Sequence, residues 1–88
     1  MRRFIKTVTV RRHVQFTVIQ DGTKRTFTVQ RWAAEDDATE AIATYDYPAG
    51  DLDAQERIRG AAIAEAARLA DAEQRGRDAM QNPAEVWR

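Results

Sequence analysis

The sequence predicts an α+β fold: a three-stranded antiparallel β-meander followed by a short helix and a long amphipathic helix packed on one face. Three observations predict it. Residues 13–32 alternate apolar and polar side chains on either side of Asp21-Gly22. Asp-Gly between alternating runs is a strong hairpin signal, because both central residues of a type I′ turn need φ > 0. Residues 54–80 repeat apolar positions at helical spacing. Asp37-Ala38-Thr39-Glu40 and Asp53-Ala54-Gln55-Glu56 each have the spacing of a capping box at a helix start.

Residues 4–10 read as the first strand, with Phe4, Lys6, Val8 and Val10 on one face and Thr7 and Thr9 on the other. Pairing Val10 with Val14 and Val8 with Phe16 puts like with like and leaves Arg11, Arg12 and His13 as a three-residue turn. A two-residue turn at Asp21-Gly22 sets Gln20 against Thr23, Val18 against Arg25, Phe16 against Phe27, and Val14 against Val29. Val14, Phe16, Val18, Phe27 and Val29 then share one face. Gln15, Thr17, Thr26, Thr28 and Gln30 share the other, with Ile19 and Trp32 on the same parity. A one-residue slip would scramble that partition. Three strands with one apolar face need a cover.

The second half supplies it. Ala38, Ala41, Ile42 and Tyr45 follow at i, i+3, i+4 and i+7, which predicts a short helix over 38–45 with Asp37 as its N-cap. The same stretch supports a fourth strand through 40–47, where Ala41, Ala43, Tyr45 and Tyr47 alternate with polar residues. Propensity and capping favour the helix. Residues 47–51 form a loop by their Pro48 and Gly50. Asp53 then caps the long helix over 54–80. Ile58, Ala62, Ile63, Ala66, Leu69, Ala70 and Met80 share one arc of it, opposite Arg57, Arg68, Asp71, Arg75 and Asp78. Asp71–Arg75 and Glu73–Arg77 are i,i+4 pairs in the favourable order. Asn82-Pro83 stops the helix. Residues 1–81 are one domain, and 82–88 are a C-terminal tail carrying Val86-Trp87.

Composition narrows the function. There is no cysteine, which excludes a disulfide framework, a Cys-based zinc site and a thiol nucleophile. There is no serine, so a Ser-His-Asp arrangement is excluded. His13 is the one histidine and lies in a turn, so it reads as a solvated residue rather than a metal ligand. The acids between Glu35 and Asp53 lack the 12-residue calcium-loop pattern around a central glycine, and no GxGxxG or Walker A sequence occurs. A non-catalytic protein without metal or cofactor is expected. No apolar run approaches the about 18–20 residues that span a bilayer, and the two arginines at the amino terminus precede no apolar signal region. A cytoplasmic protein, monomeric or homodimeric, is the expectation.

The net charge of zero conceals an asymmetry. Residues 1–31 carry eight Lys or Arg and one Asp, residues 32–56 carry eight Asp or Glu and no Lys or Arg, and residues 57–88 are nearly balanced. Two surfaces of opposite charge follow, each available to a partner. On the polar sheet face, Thr17, Thr28, Gln30 and Trp32 are candidate contact residues, flanked by Arg11, Arg12, Lys24, Arg25 and Arg31. Trp and Arg are enriched where interfaces hold their binding energy. In the acidic connector the candidates are Tyr45, Asp46 and Tyr47, which could meet a basic partner or imitate a phosphate backbone.

The small size, the Phe4-Ile5-Lys6 opening, the Asp21-Gly22-Thr23-Lys24 hairpin and the closing Arg/Ala-rich helix resemble small phage-encoded anti-CRISPR proteins that act on type I systems. The resemblance covers about residues 4–75 and implies a phage protein, acting in a bacterial host, that inhibits a Cas effector by direct contact with the surveillance complex or its nuclease. The layout of residues 15–31, followed by the 37–41 segment, is also similar to the DNA-binding module of phage integrases and AP2-type domains. In that module the sheet itself enters the major groove. It implies base contacts from Thr and Gln and phosphate contacts from Arg and Lys. Overall neutrality, the acidic start of the helical cover and the length of the last helix depart from it. A protein or ribonucleoprotein partner is expected first, and nucleic acid second.

Overall fold

The computed structural model describes the backbone of residues 2–10 and 13–81, with side chains through residue 76. Arg11, Arg12, the tail over 82–88, and the side chains of Met80 and Arg77 lie outside the described residues. Four strands, β1 (Arg2–Val10), β2 (Val14–Asp21), β3 (Thr26–Ala33) and β4 (Ala38–Asp46), form one antiparallel sheet in chain order, and α1 (Leu52–Gln81) crosses one face of it. The α+β class and the antiparallel meander are as predicted. The number of strands and helices is not, because the predicted short helix over 38–45 is the fourth strand.

Pairing explains that correction. Without β4, β3 would be an edge strand with a row of unmatched backbone groups. β4 matches them along its whole length, from Thr26 opposite Asp46 to Ala33 opposite Ala38. The preference of three alanines for helix is weaker than a complete ladder. Asp37 therefore caps no helix. It ends a four-residue loop, with φ 47° and its N–H donating to the Ala33 carbonyl at 2.9 Å.

The β1–β2 register is as predicted from Val10↔Val14 through Val8↔Phe16. It then shifts at Ile5, which is inserted between Phe4↔Ile19 and Lys6↔Val18. A bulge of this kind reverses the side-chain alternation of the residues before it. Ile5 packs against the core, and Phe4 moves to the other face. A second bulge, at Ile42, interrupts β4.

The β2–β3 hairpin has a longer loop than Asp21-Gly22 predicts. Residues 22–25 form it, and Val18 faces Val29 instead of Arg25. The slide is even-numbered, so every side chain keeps its predicted face. It lets both eight-residue strands pair to their ends, from Asp21↔Thr26 to Val14↔Ala33. Asp21 directs the turn by accepting the N–H groups of Thr23 and Lys24 on Oδ1 at 3.0 and 3.2 Å. Arg25 closes it at φ 55°, a left-handed conformation that costs a side-chain-bearing residue about 1–2 kcal/mol. Arg25→Gly should relieve that cost, less up to about 1 kcal/mol of added chain entropy. A thermal melt should show Tm raised by a few degrees, and a lowered Tm would contradict this loop conformation.

One core joins sheet and helix. Val10, Val14, Phe16, Val18, Phe27, Val29, Ala33 and Tyr47 from the sheet side meet Ala62, Ala66 and Ala70. Ile58, Ile63 and Leu69 border it on the predicted arc. Small residues along the buried stripe let the helix axis lie close to the strands. The cap is Asp51 rather than Asp53: Asp51 Oδ1 accepts the Ala54 N–H at 3.0 Å. Asp53 sits in the first turn, where negative charge suits the helix end. The Asp71–Arg75 pair forms at 3.0 Å, whereas Glu73 turns to the sheet and accepts Arg31 Nη2 at 2.6 Å and Nε at 3.0 Å.

Candidate functional site

With α1 on one face, the other face of the sheet is open. Three cross-strand rows make its central part. Thr9, Gln15, Trp32 and Thr39 make the first, and Thr7, Thr17, Gln30 and Ala41 the second. Phe4, Ile19, Thr28 and Thr44 make the third. Threonines stabilise the face as cross-strand pairs, with hydroxyl oxygens 3.4 Å apart in both Thr7–Thr17 and Thr28–Thr44.

The face is not flat. A hollow of about 520 Å³ is lined by Arg2, Arg3, Phe4, Thr17, Ile19, Gln30, Trp32 and Thr39. A second, of about 360 Å³, shares Arg2 and Ile19 with the first and runs on to Lys24, Thr26 and Thr44. Together they form one trough. Phe4 is 77% exposed, the most exposed large apolar residue among the described residues. Ile19 is only 8% exposed and forms the floor. Trp32 is half-buried and its indole Nε1–H donates to Asp37 Oδ1 at 3.2 Å. The left-handed Asp37 thus has two tasks: it closes the β3–β4 loop and holds the indole.

Charge divides across this face. Arg2 and Arg3 lie exposed on the β1 edge and line the hollow, Lys6 opposite Val18 takes the α1 side, and Lys24 and Arg25 extend the basic rim through the β2–β3 loop. Glu35, Asp36 and Asp37 of the β3–β4 loop, with Asp46 of β4, make the opposite rim acidic. One row spans the contrast, from Arg2 through Asp21 and Thr26 to Asp46. The Asp21 carboxyl is held below its ordinary value by the Lys24 N–H first and the Thr23 N–H after it, so it stays ionised beside the basic rim.

The structure brings four candidates, Thr17, Thr28, Gln30 and Trp32, onto this face. Lys24 lines the second hollow, and Arg25 is exposed next to it. Arg31 does not flank the face, because its odd parity turns it to α1 and Glu73. Tyr45 and Tyr47 are not presented to solvent as a pair. Tyr45 packs on the core, and Tyr47 is buried, with its hydroxyl accepting Gln20 Nε2 at 2.9 Å and its ring 5.1 Å from that of Phe27. Asp46 is exposed at the end of β4. Sequence reasoning missed Phe4, Arg2, Arg3, Thr39 and Thr44. The signal for Phe4 was its neighbour Ile5: two adjacent apolar residues in a strand cannot both face the core.

Among the described residues, no group of three His, Cys, Asp or Glu side chains could hold a metal ion, and no helix is long and apolar enough to cross a membrane. No protein-family model matches the chain, and the searches of curated proteins and solved structures found nothing similar to it. The resemblances to anti-CRISPR and integrase-type proteins therefore stand on the residues that suggested them.

Proposed function

We propose that this chain is a non-catalytic binding module whose open sheet face is its contact surface. The partner we propose is a ribonucleoprotein, with a CRISPR effector as the one implied by the resemblance to anti-CRISPR proteins. The supporting observation is the trough: one sheet face is covered by α1, and the other leaves Phe4 77% exposed beside Trp32, with Arg2 and Arg3 at the rim. Aromatic and arginine side chains around a desolvated floor are the usual composition of an interface hot spot. The charge step from the β1 edge to the β4 edge would fix the orientation of a partner on the face.

An integrase-like reading of duplex DNA is the second possibility. It is favoured by the Thr and Gln rows and the basic rim, and opposed by the acidic rim facing it across the sheet. A pull-down from bacterial lysate, with and without nuclease, separates the two. Recovery of an effector complex that survives nuclease, and its loss with Thr17→Glu or Trp32→Ala at nearly unchanged Tm, is the expected result. Recovery of DNA-bound proteins alone, all released by nuclease, would favour the duplex reading. Unchanged capture by both variants would remove the face from consideration.

A further inference from the structure

The trough differs in chemistry from rim to floor, and these differences select an occupant. Resting on the open-face reading above, we propose that it seats a short single-stranded stretch of nucleic acid, with separate bases on Phe4 and Trp32 and the backbone along Arg2 and Arg3.

Four observations lead there. First, the open face carries two aromatic rings, one on β1 and one on β3, both lining the same hollow. Every base has a π-face, so such rings bind single strands with little regard to sequence. Second, the rings are far apart. Phe4 is opposite Ile19 and Trp32 is opposite Gln15, so they are two strands and four residues apart. At about 4.8 Å per strand and about 3.3 Å per residue, their Cα atoms are roughly 16 Å apart. The stacked step within one strand of a duplex is about 3.4 Å. The two rings therefore suit splayed bases, and duplex bases have no free face to offer them. Third, the face holds a hollow of about 520 Å³ between its side chains, which can receive unstacked bases. Fourth, Thr17 and Gln30 lie between the two rings, with Thr39 beyond Trp32 on β4, and these polar groups can donate to or accept from base edges.

Charge places the backbone. Arg2 and Arg3 lie on the β1 side, and Lys24 continues the line past Asp21. The acids of the β3–β4 loop and β4 repel phosphates beyond Trp32, so the strand crosses from Arg2 and Arg3 on β1 no farther than Trp32 on β3. Asp21 and Asp37, the carboxylates nearest the trough, are each engaged, by loop amides and by the Trp32 indole respectively.

The test uses the full chain with Trp87→Phe, so that Trp32 is the fluorescent reporter. It is titrated with a labelled single-stranded oligothymidylate or oligouridylate of about ten nucleotides, and with a duplex of the same length. Anisotropy and Trp32 emission are read at about 50 mM salt and above. Single strands should bind more tightly than duplex and quench Trp32. The affinity should fall with salt at a log–log slope of about −0.7 for each phosphate contacted. Phe4→Ala and Trp32→Ala should each weaken binding by roughly 5–150-fold, and Phe4→Ala should leave Tm unchanged. Arg3→Gln should flatten the salt slope. Tighter duplex binding, or affinity indifferent to Phe4→Ala, overturns the single-strand assignment. If no oligonucleotide binds but a nuclease-resistant partner is still lost with Thr17→Glu, the single-strand proposal fails and the binding face survives. If neither is seen, both fail.

Discussion

Phe27→Ala should be among the most destabilising single substitutions in the chain. Phe27 is fully buried at the middle of the sheet, and its ring meets that of Tyr47 at 5.1 Å and 40°. Removing a buried phenyl ring costs about 3–5 kcal/mol in lost transfer energy and cavity formation. A chain of this length has a total stability of about 4–13 kcal/mol. The loss thus takes from about a quarter to all of the total, and thermal melting should show Tm lowered by more than about 12 °C. Phe4→Ala removes the same atoms from the same sheet. Its ring is on the open face, so stability should change by no more than about 0.5 kcal/mol. If the two variants melted alike, the bulge at Ile5 that turns Phe4 away from the core would be in error.

Ala66→Asp should be nearly as damaging, and Ala64→Asp nearly harmless. Both positions are on α1 and both substitutions lose the same helix propensity, up to about 0.7 kcal/mol. Ala66 is fully buried against the strands, whereas Ala64 is exposed on the outer side of the helix. A carboxylate at 66 must stay unpaired in an apolar layer or push the helix off the sheet. Either course costs several kcal/mol. Denaturant midpoints of the two variants give the comparison directly. Equal midpoints would mean that α1 does not rest on its alanine stripe.

Those positions also show what could be read from the chain beforehand. The period-two pattern of residues 14–29 identified the buried face of β2 and β3, although the loop between them is two residues longer than Asp-Gly suggested. Parity survives an even slide in register, so the face was legible where the partners were not. The helical arc from Ile58 to Ala70 was legible for a similar reason, since a long amphipathic period tolerates an error at its cap. β4 was not, because Ala, Ile, Thr and Glu over 38–45 satisfy both periods and the deciding factor is the bare edge of β3, which is a tertiary one. The same holds for the site. Thr17, Thr28, Gln30 and Trp32 were placed by parity alone, but Phe4 depended on a bulge that no local rule locates. Tyr45 and Tyr47 looked available because they belong to an acidic connector; a strand followed by a turn puts them against Phe27 and Gln20 instead.

The order of the elements has a consequence for synthesis. Each strand pairs only with its sequence neighbours, so all the hairpins can form as the chain leaves the ribosome, on the microsecond scale typical of such units. Their cover comes last. At about 5–20 residues per second, the thirty residues of α1 take roughly 2–6 s to be made. Until α1 has left the exit tunnel and docked, Val14, Phe16, Val18, Phe27 and Val29 are an apolar face without its cover. A chain whose strands have emerged ahead of α1 is therefore the form of this protein most exposed to chaperones and to aggregation, and prompt release of the helix protects it.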